Sequence, residues 1–542
     1  MTATRAAGDA ALLVEAETLA GPLATALRAR RLPGVLDVVP GARTVLVITE
    51  PGSWDLDALA GRVAAIPATA GGAAGQPLAE ISVVYDGPDL AELARLTGLP
   101  VGEVIARHAA REYTVGWLGF SPGFAYLTGL DPALDVSRLD APRLRVRAGS
   151  VAIAGGLSAV YPSESPGGWR LLGRTSAPLW DPGREPPALL APGMRVRFRP
   201  VSELPPPSPV SELPAAGPVT EAAAGVRDPG DFSVISTEKS PGSWKASIVI
   251  EVIRPGPLAT VQDLGRPGLG HLGVPRSGAA DAASLLWANQ LTGNPPDAAG
   301  LELTLGKAML RFSGEAVVAV TGAAAPVTLT TGADQAAMEM ELGAAFGVPA
   351  GGLLRIGTPA AGLRTYLAVR GGIEVPAVLG SRSADLLSGL GPAPLQTGDL
   401  LPVGAAMRPA GDTGVELTSG QRARAASGPA ELRVLPGPRD DWFTAGAIGL
   451  LCGADYVVTP ASDRTGLRLG GPALPRGREG ELASEGMVTG ALQVPPDGRP
   501  ILLLADHPVT GGYPVIAVVV SADIGLAAQL RPGQPVRFRL SG

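Results

Sequence analysis

Residues 268–273 read GLGHLG, the glycine spacing that seats a dinucleotide pyrophosphate. That fingerprint works where a strand feeds a tight turn and a helix opens at the last glycine, so that free backbone N–H groups meet the phosphate. Here the glycines follow DLGRP, which has no strand pattern. Val274, Pro275 and Arg276 come next, so the nearest helix start is Ser277 or Asp281. These glycines therefore read as a loop. Other chemistries are limited by scarcity. His108, His271 and His507 are far apart, and with Cys452 as the single cysteine there is no local zinc-ligand cluster and no intrachain disulfide. The only lysines are Lys239, Lys245 and Lys307. LGKAM lacks the spacing of a phosphate-binding loop, no lysine sits between methionines as covalent biotin attachment requires, and none has the Gly/Ser-rich setting of a Ser–Ser–Lys amidase.

Composition bounds the rest. The 542 residues predict three or four domains, and 46% hydrophobic residues supply their cores. With 44 basic and 50 acidic residues, a net charge of −6 and no dense basic run, nucleic acid is not an expected partner. The start MTATRAAGDA lacks the order of a secretion signal, and the apolar run PVIAVVVSA is too short to span a bilayer. The expectation is a cytoplasmic protein with no membrane partner.

The elements that must position any site fall into two halves. Residues 201–246 are rich in Pro, Ser and Ala, carry VSELP twice, and read as a linker. PGMRVRFRP closes the first half and PGQPVRFRL the second, each a Pro-Gly turn followed by an alternating strand. Two related β-rich barrels are expected. Residues 10–86 alternate as βαββαβ, with helices near 18–30 and 55–66 and AEISVVYD as the last strand, which predicts a ferredoxin-like layer. Asp281 reads as the cap of a helix over AASLLWANQLTG. The expected fold class is β-rich α+β: a ferredoxin-like subdomain at 1–86, a cyclophilin-like barrel at 87–200, the linker, and two further barrels at 247–425 and 426–542.

Several motifs carry a family resemblance. GWLGFSPGFAYLTGL (116–130), RAGSVAIAGG (147–156) and YPSESPGGWRLLGRT (161–175) resemble the B subunit of 5-oxoprolinase, a family also called allophanate hydrolase subunit 1 or carboxyltransferase subdomain C/D. The second half resembles the companion C subunit, or subdomain A/B, through GPLATVQDLGRPGLGHLGVPRSGAAD (256–281), YLAVRGGIEVPAVLGSRSADLL (366–387), SDRTGLRL (462–469) and SEGMVTGALQVPPDGRPILLLADHPVTGGYP (484–514). The resemblance implies cyclophilin-like barrels in contact with each other. It implies a component that opens 5-oxoproline to glutamate with ATP, and with Mg, as co-substrate, beside a separate A subunit. It also admits two alternatives: the carboxyltransferase part of a biotin-dependent urea or amide carboxylase whose biotin is carried elsewhere, and a non-enzymatic regulator of a histidine kinase. The substrate class is a lactam or ureide.

Within those motifs, chemistry selects candidates. A general base is sought among Asp263, Glu485 and Asp506. Arg266, Arg370, Arg464 and Arg468 can fork a carboxylate or phosphate, with Ser277 beside Arg266. Gly371, Gly372 and the run Thr510, Gly511, Gly512 and Tyr513 allow close backbone approach to a ligand. In the first half, Tyr161, Ser165, Gly167, Gly168 and Trp169 form a candidate binding loop. One departure stands out: Leu157-Ser158-Ala159 replaces the Gln-Thr-Gly of many family members, which bears on the substrate.

Overall fold

The computed structural model describes residues 3–17, 20–67, 77–139, 141, 143–206, 248–332, 336–405, 429–480 and 482–541. The expected linker lies almost wholly outside them. Near the N-terminus, Leu12 and Val14 in one strand and Val45 and Val47 in another put β-branched and leucine side chains on one face. They belong to a four-stranded sheet ordered β1-β2-β4-β3, made of Thr4–Ala6 (β1), Ala11–Glu15 (β2), Val35–Pro40 (β3) and Thr44–Thr49 (β4). Helix α1, Ala20–Arg30, covers that face with Ala20, Leu23, Ala24 and Leu27, one stripe of a 3.6-residue period. Helix α2, Leu56–Ala64, starts where the Asp55 carboxylate accepts the Ala58 N–H and buries Leu59 and Val63.

The last strand of the expected βαββαβ unit goes elsewhere. Leu78–Val83 (β5) pairs in parallel with Arg195–Pro200, placing Ala79, Ile81 and Val83 in the core of the next module. Thr4–Ala6 takes the edge beside β2 that a ferredoxin-like fourth strand would occupy. Alternation identifies the strand, but only the apolar face of the barrel decides which sheet recruits it.

That module is a seven-stranded row from Arg170–Arg174 to β5, with a bridge from Val84 to Arg174 joining its ends. The second half opens with sheets of six and five strands around one core that includes Val252, Leu303, Phe312 and Leu354. It ends in a closed seven-stranded barrel over residues 430–540.

The first and last modules share a construction. The strand Arg195–Pro200 runs parallel to β5, with Phe198 opposite Ile81 and Arg197 opposite Glu80. Pro535–Leu540 runs parallel to Ala430–Pro436, with Phe538 opposite Leu432 and Arg537 opposite Glu431. After each opening strand the chain turns at a glycine: Gly87 N–H donates to the Leu172 carbonyl, and Gly437 N–H to the Ile516 carbonyl. A Cβ on either glycine would fall within 2.2 and 2.4 Å of a backbone oxygen, so only glycine closes these turns. The matching VRFR endings thus mark equivalent strands of two barrels.

Candidate functional site

The two halves meet along a seam of backbone and charge. The Gly270 N–H donates to Asp37 Oδ2 at 2.9 Å, the Gly123 N–H to the Leu272 carbonyl at 2.9 Å, and the Phe120 N–H to Thr510 Oγ1 at 2.8 Å. The opening glycines are explained here. A Cβ on Gly270 would lie 2.7 Å from Val39 and 2.9 Å from Asp37, and one on Gly273 would lie 2.2 Å from the Ser121 carbonyl. Helical turn 270–272 is three residues long, and its loop clamps the N-terminal sheet. Burial raises the Asp37 carboxyl above its ordinary value, partly offset by the N–H groups of Gly270, Val38 and Gly268.

Between the seam, the first sheets of the second half and the closed barrel lies a cavity of about 1060 Å³. Its wall is mostly apolar, including Val39, Ile48, Trp287, Met487 and Val518, with Asp37, Arg276, Ser277, Asp281 and His507 among its polar groups. Such a concave, largely apolar space with a few polar groups is the usual form of a small-molecule site.

Behind this wall runs a buried charge network. Arg464 donates from Nε and Nη2 to the two oxygens of Asp506, both at 2.9 Å, from Nη1 to Glu302 at 2.5 Å and from Nη2 to the Gly278 carbonyl at 2.7 Å. Glu302 also faces Arg364 at 3.2 Å and accepts from the Tyr366 hydroxyl and the Ala280 N–H. Burial pushes the Glu302 carboxyl up, but the Arg464 and Arg364 guanidiniums more than reverse this and hold it below its ordinary value. Ser277 Oγ stands 2.7 Å from Asp506 Oδ1, and the Leu386 N–H donates to Oδ2. The Asp263 carboxylate accepts from Ser381, Ser383, the Arg382 N–H and the Gly265 N–H. Arg266 donates to the Ser383 carbonyl at 2.6 Å, while its Nη1 is buried with no hydrogen-bond partner among the described residues.

Of the residues selected from sequence, the fold therefore joins Asp263, Arg266, Ser277, Arg464 and Asp506 in one region. Only Ser277 of these five lines the cavity. Asp263 and Asp506 hold loops together; with their oxygens occupied by donors, the geometry argues against either as a general base. Glu485 lies in a different network, gripped through both oxygens by Arg439, which also reaches Glu15 of the first half at 2.7 Å. Burial raises the Glu485 carboxyl above its usual value despite Arg439. It too is committed to a partner.

The remaining candidates lie apart from the cavity wall. Arg370 donates weakly to the Thr292 carbonyl, and Gly371 and Gly372 shape a turn closed against Gly404 and Asn294. Arg468 is exposed on the barrel. Thr510 links the halves, Gly511 packs on Gln493, Gly512 faces Arg138, and the Tyr513 carbonyl accepts from Gln493. Tyr161, Ser165 and Trp169 are buried; Tyr161 and Trp169 pack edge-on against Phe124, and the Tyr161 hydroxyl sits over Gly167. The Leu139 N–H donates to the Gly168 carbonyl. This loop closes an aromatic core rather than lining the cavity. Ser158, from the departing Leu157-Ser158-Ala159, accepts or donates to His108 Nε2 at 2.9 Å inside the same barrel.

Sequence reasoning does not select Glu302, Arg276 or His507. A lone charge within GLELTLG, flanked by buried leucines, is the available signal for Glu302. His507 and Arg276 have none stronger than neighbouring Asp506 and Ser277.

Comparison with known proteins agrees with this construction. Residues 2–190 match the carboxyltransferase domain, subdomain C and D, and residues 272–540 match subdomain A and B. The chain is 38% identical to the 5-oxoprolinase C subunit of Escherichia coli (strain K12) over 295 residues, 54% of this chain and 90% of that one. It is 41% identical to the 5-oxoprolinase B subunit of Escherichia coli O157:H7 over 206 residues, 36% of this chain and 94% of that one. The crystal structure of TTHA0988 superposes with a TM-score of 0.80 at 35% identity, covering 99% of this chain and 100% of that one. The chain belongs to the carboxyltransferase-domain family of the 5-oxoprolinase B and C subunits, with both kinds on one polypeptide.

Proposed function

We propose that this chain is the fused B and C component of an ATP-dependent 5-oxoprolinase, acting with a separate A-type subunit to open 5-oxoproline to glutamate. The observation that carries this reading is the nearly full-length match of each half to a differently named subunit of that enzyme. A cavity walled by both halves supports it, since two docked components would share such a site. A lactam is a poor electrophile, so ring opening calls for activation of its carbonyl, the chemistry ATP supplies. The cavity does not fit a triphosphate: Arg276 is its one Arg or Lys side chain among the described residues, against Asp9, Asp37, Asp281 and Glu341. The Gly270 N–H, which a phosphate loop would offer, already serves Asp37. These charges speak for ATP binding on the A-type subunit.

The test is release of glutamate and ADP from 5-oxoproline and ATP, with and without a candidate A-type subunit. Coupled release only in the mixture is expected; none from folded proteins refutes the assignment. A second reading rests on the 33% identity to urea amidolyase of Lachancea kluyveri over 325 residues, 53% of this chain and 17% of that one. In that case the chain would transfer a carboxyl group from a biotin carried by another protein, and carboxylated amide would form only when that carrier is present.

A further inference from the structure

His507 occupies the cavity wall next to a residue that cannot move. Asp506 is clamped by Arg464 through both oxygens, by Ser277 and by the Leu386 N–H, which fixes the loop from which His507 projects. His507 Nδ1 lies 2.8 Å from the Pro508 carbonyl. A carbonyl oxygen only accepts, so Nδ1 carries the proton and Nε2 presents a lone pair. Nε2 has no hydrogen-bond partner among the described residues, and the side chain lines the cavity. Burial keeps the imidazole neutral by lowering its pKa from the ordinary value.

The other acids of the wall are occupied or peripheral. Asp37 accepts from Gly270 and Val38, Asp281 from Ser284 and Gln529, and Asp9 from Ser521; Glu341 is exposed at the edge. Arg276, exposed at the cavity mouth with Asp37 and Glu50 acting on its charge, is held only through Nε, 3.4 Å from the Leu264 carbonyl, leaving both terminal nitrogens of its fork without a hydrogen-bond partner among the described residues. The wall thus offers one unoccupied imidazole lone pair and one open guanidinium.

We propose that His507 Nε2 is the proton acceptor of this cavity and that Arg276 holds the carboxylate of the small cyclic amide bound there. The inference rests on the 5-oxoprolinase reading. With the lactam oxygen phosphorylated by ATP held on the A-type subunit, water would form the new C–O bond at that carbon while giving a proton to Nε2. The imidazolium would return that proton to the ring nitrogen as the C–N bond breaks, leaving a glutamyl phosphate that a second water hydrolyses to glutamate and phosphate, so the histidine ends neutral.

Two measurements test this on the full chain. In ¹⁵N-histidine NMR, His507 should show a protonated Nδ1 and a bare Nε2, and its resonances should shift on titration with 5-oxoproline in wild type but not in Arg276→Gln. An Nε2-protonated tautomer, or no response to 5-oxoproline, overturns the proposal without reference to turnover. In the active mixture with the A-type subunit, His507→Asn keeps a donor near the Pro508 carbonyl but lacks the basic nitrogen that takes the proton. Its kcat should fall about 10²–10⁴-fold, with loss of the acidic limb of the pH profile, while Arg276→Gln should chiefly raise KM. That limb lies below the ordinary histidine pKa because burial lowers it more than the Pro508 carbonyl and Asp506 raise it; Asp9, Asp37, Asp281, Glu341 and Arg276 are the other charged groups of the wall. Wild-type rates in His507→Asn overturn the proposal. Inactivity of the wild-type mixture instead refutes the 5-oxoprolinase reading, leaving the NMR result to judge the site.

Discussion

Arg464 shows how a buried residue can be indispensable without touching a ligand. It neutralises Asp506 and Glu302 where side-chain exposure is 1% or less for all three. Replacing it by methionine leaves the buried Asp506 without its cation and Glu302 with Arg364 alone. Arg464→Met should lose about 3–5 kcal/mol of unfolding free energy, read by urea denaturation, and a loss below about 1 kcal/mol would show that the network relaxes freely. His108 gives a pH prediction. Its ring is fully buried between Tyr85 and Ser158, and burial lowers its pKa to about 3. A depressed histidine pKa means the unfolded chain binds the proton first, so its stabilising contribution is complete above about pH 6.5 and declines as pH falls toward about 3. The decline approaches 1.4 kcal/mol per pH unit at most. His108→Gln should flatten the acid side of a melting-temperature profile; an unchanged slope would assign acid sensitivity to other groups.

At the scale of elements, the loop 268–274 converts an apparent nucleotide motif into a joint. Gly273 has φ +76° and no room for a Cβ beside Ser121. Gly273→Ala should therefore loosen this joint, seen as at least 10-fold faster hydrogen exchange at the Gly270 and Gly123 amides, with the closed barrel unaffected; protection equal to wild type would show that the loop does not hold the halves. Legibility followed the range of the interaction. The VRFR strands and the Asp281 cap could be read because alternation and capping are local. The destination of β5 could not, since its apolar face suits either sheet. The chemistry was legible as a neighbourhood: Asp506 and Ser277 stand out in the sequence, yet their fixed partners are 42 and 229 positions away, and their neighbours His507 and Arg276 face the cavity.

For the whole molecule, contacts between halves are many and dispersed: Arg439 to Glu15, Arg5 to Asp441, the Ser521 N–H to Asp9, and the Ala42 N–H to the Ser484 carbonyl. Cleavage at a protease site introduced into residues 207–247 should leave one species on size-exclusion chromatography at micromolar concentration; two separated halves would show that the tether, acting through effective concentration, maintains the contact.

The equivalent barrels differ at one telling place. Asp89 follows the first glycine turn and meets Arg143 at 2.6 Å, where Arg143 lies opposite Gly167 in a two-stranded ribbon. Arg439 follows the second turn and meets Glu485, which lies opposite Gly511 in the corresponding ribbon. The ion pair is retained with its polarity reversed. During synthesis, two look-alike barrels on one chain risk exchanging ribbons. An exchanged ribbon would set the half-buried Arg143 against Arg439 and Glu485 against Asp89, like charge facing like charge. With its polarity reversed, each ion pair matches its own barrel's ribbon and would repel the other's.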